Sequence, residues 1–401
     1  MEISKEIIME NINNPHILEE LYQSNKKIYT EIIANIHNED SELIIKYWYT
    51  RLFYKPSINN NKKVNIKKYV FTAFLIIITW LPIRLMFIDS FSDKNYIIKL
   101  IPIIFTLMLS VYFLYGSFKL KNIIYCVVPC IVLYIYFILL PDNFNSQSLN
   151  NANYFMFIIL WFLILLSQFN YNFKKLEYNI FLEKNGEVVI WSTMFIIGGV
   201  IVVSLSFALF EAINISPYRF YLENIVTLGL VAAPFVSLLV IENNKIKLSV
   251  IIAKIFLPII LISLIIFGFI SMFSETKPYG NRDIFIIYNI MNVLVLCVLV
   301  FTSINGINSK FIKICYYILP VITLILNIIT FSAVIYRISE YGITPNKITL
   351  FGTNVVMIGH LIYIIYLNYK QKINRNVLYL PIYLIWSLVV VFVFPFLFKF
   401  S

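Results

Sequence analysis

Eleven blocks of roughly 20 apolar residues, separated by short polar loops, run from Tyr69 almost to Ser401. As helices, each is long enough to cross about 30 Å of hydrocarbon. The chain is 60% apolar and 17% aromatic with only 13% charged residues, a balance that cannot be folded around one water-soluble core without leaving apolar surface exposed. The predicted fold class is therefore all-α, a polytopic transmembrane helix bundle of about eleven spans behind a short N-terminal cytoplasmic helical segment. The spans are predicted at 69–88, 97–116, 122–140, 152–168, 188–210, 221–241, 249–273, 284–304, 314–336, 348–368 and 377–398. The fourth is the shortest and reads either as a tilted half-span or as a span extended by Phe169 and Tyr171.

Charge placement orients these blocks. With the amino terminus inside, the loops after the even-numbered spans hold Lys119, Lys121, Lys174, Lys175, Lys184, Lys245, Lys247, Lys310, Lys313, Lys370, Lys372 and Arg375. The opposite loops hold only Lys94, Arg219, Lys277, Arg282, Arg337 and Lys347, accompanied by acids such as Asp89, Asp93, Asp142, Glu211, Glu275, Asp283 and Glu340. Lys62, Lys63, Lys67 and Lys68 precede the first span on the same side as the twelve, as the positive-inside bias requires. The carboxyl terminus is then predicted outside. The formal charge of +11 is dispersed beside membrane spans and makes no basic face, so it argues for anionic lipid headgroups and against nucleic acid as a partner.

Residues 1–61 are polar, carry both signs of charge and lack the apolar core of a secretory signal. They are predicted as a cytoplasmic helical segment, with 62–401 as the transmembrane domain. Asn14 and Pro15 read as N-cap and first residue of a helix through Leu18, Leu21, Ile28 and Ile32; Ser41 reads as the cap of a second, with Leu43, Ile44, Trp48 and Leu52 on one face. About 60 residues bury little apolar surface alone, so this segment is expected to dock on the membrane domain, a cytoplasmic protein partner or a second copy, or to lie as a hairpin on the membrane. Residues 54–66 form the obvious linker, and the largest loop is predicted at 169–187.

Four cysteines and three histidines restrict the chemistry. Cys126 and Cys130 lie on one helical face beside Pro129 and read as packing residues; His16 and His37 sit in the amino-terminal segment and His360 is alone at mid-span. No haem held by two membrane histidines and no histidine-rich zinc site can be assembled, and no phosphate-binding loop, metalloprotease motif or serine-hydrolase elbow is present. Catalytic residues, metal ligands and cofactors are accordingly unassigned, and a non-enzymatic role is favoured.

Charged and ionisable residues within hydrocarbon cost several kcal/mol unless paired or hydrated. Arg84, in the last turn of the first span, is predicted to snorkel outward. Glu223 opens the sixth span one turn from Arg219 and reads as an interfacial ion pair. His360 cannot reach either surface and must hydrogen-bond a neighbouring helix or water.

The densest polar constellation joins the ninth and tenth spans, Tyr336-Arg337-Ile338-Ser339-Glu340-Tyr341-Gly342-Ile343-Thr344-Pro345-Asn346-Lys347. Gly342 suits a positive-φ helix end, Thr344 the N-cap of the next helix and Pro345 its first position. Arg337 and Glu340, three apart, are placed to pair. The set Arg337, Glu340, Tyr341, Gly342, Thr344 and Pro345 is thus either a well-capped outer hairpin or a ligand or partner site built on one. This turn resembles the Arg-Ile-x-x-Tyr-Gly-Leu-Thr-Pro-x-Arg type of motif in the bacterial membrane proteins grouped as domain of unknown function 4153, with Ile343 in place of Leu and Lys347 in place of the final Arg. Leu18-Glu19-Glu20-Leu21-Tyr22 and Trp48-Tyr49-Thr50-Arg51-Leu52 resemble the same family, with Tyr49 and Thr50 departing from an expected polar or acidic pair. The resemblance implies an integral protein of the bacterial inner membrane without an assigned substrate.

Three function classes fit these readings. A transporter or permease accommodates many spans, with Pro102, Pro129, Pro234, Pro258 and Pro320 interrupting helices to expose backbone groups. A scaffold or sensor would act through the amino-terminal segment. A lipid-linked sugar enzyme would use acids in the first outer loop, Asp89 and Asp93, although that loop is too short to cover a substrate.

Overall fold

The computed structural model describes residues 4–37, 42–53, 66–87, 94–143, 145–211, 218–243, 248–273, 278–280, 282–304, 306–307 and 309–401. Ser41, the linker 54–65 with Lys62 and Lys63, Asp89, Asp93, Lys245, Lys247, Glu275 and Lys277, and the side chains of Lys94, Glu211 and Asp283, lie outside the described residues. The described residues form helices joined by turns and short loops, with no strand among them, and the chain divides into two compact units, Met1–Ile66 and Lys67–Ser401.

Among its described residues the first unit holds four helices, α1 (Lys5–Glu10), α2 (Pro15–Ser24), α3 (Lys26–Ile36) and α4 (Leu43–Phe53). The helix predicted from Pro15 through Ile32 is broken at Asn25, whose side chain accepts a hydrogen bond from the Ile28 amide and caps α3. The break resets the helical phase. Tyr29 and Ile33 are buried, and Ile28, expected on the apolar face, is 43% exposed. Ile8, Leu18, Leu21, Tyr29, Ile33 and Trp48 form the core of this unit. The two stretches singled out in the sequence meet there: the Arg51 guanidinium donates to both Glu19 carboxylate oxygens and lies 4.6 Å from the Trp48 ring. That guanidinium holds the Glu19 carboxyl below the usual carboxylate range, and burial pushes the Tyr29 phenol up to about 12.

The second unit contains α5 (Ile66–Leu85), α6 (Lys94–Phe113), α7 (Leu120–Leu139), α8 (Gln147–Gln168) and α9 (Tyr178–Glu211). A short α10 (Tyr218–Phe220) enters a π-helical stretch, Tyr221–Val226, that continues as α11 (Thr227–Asn243). There follow α12 (Leu248–Phe273), α13 (Arg282–Ser303), α14 (Lys310–Tyr341), α15 (Pro345–Tyr369), a 3₁₀ segment Ile373–Tyr379, α16 (Leu380–Phe392) and α17 (Phe394–Leu397). Among the described residues nine helices are long and apolar enough to cross a membrane, and shorter apolar helices, Ile97–Phe113 and Ala253–Phe269, stand where the second and seventh spans are predicted. The protein is a multi-pass membrane protein. Its surface agrees: Val70, Phe74, Ile77 and Leu81 on α5, and Ile255, Ile259, Ile262, Ile266 and Phe269 on α12, are 47–65% exposed at three- and four-residue spacing, forming apolar stripes that only lipid can cover.

Several predicted boundaries move for identifiable reasons. Ser146 caps α8 by accepting from the Leu149 amide, so the fourth span is a full 22-residue helix and not a half-span. Helix α9 begins at Tyr178, which draws Lys184 and the buried Glu187 out of the predicted loop and into the helix. The last span ends at Phe392, three residues before Pro395, whose ring nitrogen has no N–H to donate to the helical ladder. Pro102, Pro129, Pro234, Pro258 and Pro320 each lie inside a helix that continues past them, so the expected interruptions do not occur there.

The three largest hydrophobic clusters among the described residues organise this unit. Leu257, Leu264, Val295, Leu319 and Leu361 join α12, α13, α14 and α15. Cys130, Phe137, Met156, Leu160 and Val391 join α7, α8 and α16, with Ile103 from α6. Leu75, Tyr112, Val231 and Phe235 join α5, α6 and α11.

Candidate functional site

The turn between α14 and α15 has the local chemistry its sequence encodes. Gly342 ends α14 at φ +72° and ψ 176°, a region that a side chain strongly disfavours. Thr344 caps α15 by accepting from the Lys347 amide, and buried Pro345 is the first residue of the helix. The Lys347 ammonium donates to the carbonyls of Tyr341 and Gly342 at 3.0 and 2.6 Å, which satisfies groups left unpaired at the end of α14. Tyr341 itself is 64% exposed and lies beneath that ammonium.

The predicted pairing of Arg337 with Glu340 does not form. Arg337 turns away from exposed Glu340, donates to the Pro278 carbonyl at 3.2 Å and packs over the Phe285 ring at 4.8 Å, while its Nε is buried with no partner. Carbonyl and ring lie 59 and 52 residues away in the chain and hold the guanidinium more closely than a flexible, solvated carboxylate would. Arg337 thereby lines a cavity of about 730 Å³ between α8, α13, α14 and α15. Gln147, Asn150, Asn151, Arg282, Asn346 and Lys347 line it close to helix ends, and the buried Phe285 and Val334, with Leu350 and Thr353, line it further along the helices. The walls are fastened together, since the Asn151 amide donates to Asn346 Oδ1 at 2.9 Å and Thr349 Oγ1 at 3.1 Å.

Beneath the cavity a polar seam follows the buried faces of α13, α14 and α15. Asn354 donates to Asn289 at 3.1 Å, and Asn292 to Thr330 at 3.3 Å. One turn further along α14, Asn327 is fully buried, and neither its amide nitrogen nor its oxygen has a protein partner. His360 lies on α15, its Nδ1 3.0 Å from the Tyr383 hydroxyl and its Nε2 2.6 Å from Asn376 Oδ1, with Tyr379 stacked on its ring. Asn376 donates onward to Tyr316 on α14 at 3.4 Å. His360 is therefore bound to the 3₁₀ segment and α16.

The other predicted intramembrane charges come together elsewhere. Arg84 does not simply snorkel: its guanidinium meets Glu223 at 3.2 Å, and Arg219 reaches the other oxygen of that carboxylate within the π-helical turn. At the far end of the same helices Lys68 pairs with Glu242, which also accepts from Tyr112. Lys68 and Arg84 are sixteen residues apart, about 24 Å along α5. The two pairs thus bracket a slab close to the thickness of a hydrocarbon core.

Sequence reading missed the seam and Lys99. Lys99 lies inside the predicted second span, where it pairs with Asp142 at 2.6 Å and donates to the Phe137 carbonyl. The available signal for the seam was the spacing of Thr323, Asn327 and Thr330 on one face of a helix and of Asn289 and Asn292 on the next. In a chain rich in asparagine throughout, that signal does not stand out. Among the described residues no group of three or more His, Cys, Asp or Glu side chains is placed to hold a metal ion. No protein-family model, curated protein or solved structure matches this chain.

Proposed function

We propose that the protein is a permease-like inner-membrane protein of eleven spans, of the family suggested by the 336–347 turn, with its amino-terminal unit in the cytoplasm and Ser401 outside. Solute enters at the cavity beside Arg337 and continues along the asparagine seam. The observation that carries this reading is Asn327. A carboxamide at membrane depth with no protein partner costs several kcal/mol unless water or a passing polar group meets it. A purely structural bundle is better served by leucine at that position. The four-helix amino-terminal unit, which has its own core, supports a second reading in which the membrane domain reports to a cytoplasmic partner.

The test is thiol accessibility. With Cys126, Cys130, Cys297 and Cys315 replaced by Ala, Asn327→Cys should react with a membrane-impermeant thiol reagent applied outside, as Ser339→Cys at the exposed helix end does. Leu319→Cys, buried on the same helix, should not. An Asn327→Cys variant that stays unreacted while Ser339→Cys is labelled removes the permease reading.

A further inference from the structure

We propose that the cavity beside Arg337 captures an organic anion, a carboxylate or phosphate group carried on an apolar or aromatic body. The inference rests on the permease reading for its context and names the substrate class of the same site. Its first support is charge imbalance. Arg282, Arg337 and Lys347 line one cavity, no carboxylate is among its described lining residues, and none of the three forms an ion pair among the described residues. The arginines at the edge of α5 and α11 are treated differently, for Arg84 and Arg219 share Glu223. Three like charges held in one concave site repel one another and focus a positive potential, which an anion relieves.

The second support is unused donor capacity. Arg337 presents a buried Nε without a partner, and only one of its other guanidinium N–H groups is engaged, with the Pro278 carbonyl. Lys347 has spent two of its three N–H donors on the helix-end carbonyls. The amino-terminal ends of α8, α13 and α15, at Gln147, Arg282 and Pro345, also converge here, adding partial positive charge of the same sign.

The third support is shape. An open cleft of about 730 Å³ has the size of clefts that take drug-sized ligands, roughly 300–1,000 Å³, far more than a bare inorganic ion fills. Its cations sit near the ends of α13, α14 and α15, while the buried Phe285 and Val334, with Leu350, line it further along those helices. That polarity orders a ligand with its charge toward the helix ends and its apolar body further along the helices. Free solutes and lipid headgroups both offer this chemistry.

The experiment uses the full chain purified in a neutral detergent and titrated with phenyl phosphate, with dioctanoyl phosphatidylglycerol and with uncharged dioctanoylglycerol. Saturable binding of either phosphate-bearing probe, absent for the uncharged one, is expected. Phenyl phosphate binding identifies a soluble anion as the source, and binding of the phospholipid alone identifies a headgroup. Arg282→Gln, whose exposed side chain has no described partner to lose, and Arg337→Gln should each weaken binding tenfold or more, whereas Lys310→Gln at the opposite end of α14 should not. Failure of both charged probes to bind saturably, equal affinity for the uncharged probe, or unchanged affinity in Arg282→Gln and Arg337→Gln overturns the inference. Reactivity of Asn327→Cys does not depend on these titrations. A reactive Asn327→Cys without anion affinity sinks the anion site alone, and anion affinity with an unreactive Asn327→Cys sinks the permease alone.

Discussion

Replacing Gly352 by Ala tests the packing that holds α16 against α15. A Cβ at Gly352 would overlap three ring carbons of Trp386. The ring is not free to swing aside, because its indole N–H donates to Thr353 Oγ1 at 3.0 Å and its edge packs against Phe394 at a centroid distance of 5.7 Å. Forcing a methyl group into such a contact costs about 1–3 kcal/mol. Loss of the indole hydrogen bond adds about 0.5–1.5 kcal/mol. Against this, Ala is favoured over Gly in a helix interior by about 1 kcal/mol. The net expectation is a destabilisation of about 1–3 kcal/mol, read as a fall of several degrees in the melting temperature of the detergent-solubilised protein. Trp386→Leu supplies the control: in the Gly352→Ala background it should cost at least 1 kcal/mol less than in the wild type, because there it also removes the clash. An unchanged or raised melting temperature for Gly352→Ala, or simple additivity in the double variant, refutes the close-contact argument.

Glu223→Gln leaves Arg84 and Arg219 without their shared carboxylate; side-chain exposures of 33%, 71% and 12% for Arg84, Arg219 and Glu223 place the cost between exposed and buried pairs, about 1–3 kcal/mol by thermal melting, and a change below about 0.5 kcal/mol would contradict the pairing. Tyr29→Phe removes a buried hydroxyl that has no partner and should stabilise the amino-terminal unit by about 1 kcal/mol, measured as slower hydrogen exchange over α2 to α4 in the full chain; faster exchange would contradict it. The same variant should flatten an alkaline limb, because a phenol raised to about 12 from 10.0 contributes stability that is complete below pH 10 and lost as pH rises through 12.

Hydropathy alone located the apolar helices of the membrane unit, since a run of 20 apolar residues leaves a chain few alternatives. The grammar of Gly342, Thr344 and Pro345 was equally legible, because capping is decided by residues within one turn of each other. Partners distant in sequence were not. Arg337 had a carboxylate three residues away and chose a carbonyl at Pro278, and Arg84 found Glu223 139 residues on. The amino-terminal helices failed for a subtler reason: Asn25 reads as tolerable within a helix, yet as a cap it shifts every later buried position by one. The candidate site was half visible. Its turn stood out as a polar cluster, but Arg282 and Asn151 lie on other helices, Asn327 sits ten residues back along α14 among residues of α13 and α15, and only packing gathers them.

Helix α14, at 32 residues, is about 48 Å long, while the hydrocarbon it crosses is about 30 Å thick. Even at a tilt of about 40°, the upper end of what transmembrane helices adopt, its projected length is about 37 Å. More than a helical turn therefore has to stand in the headgroup zone or beyond, and the end that bears Arg337 is the one rich in polar side chains. Hydrophobic mismatch then becomes a control on the cavity. A thicker bilayer draws lipid up around its walls and a thinner one lifts the mouth clear, so lipid chain length alone should alter how readily ligands reach Arg337.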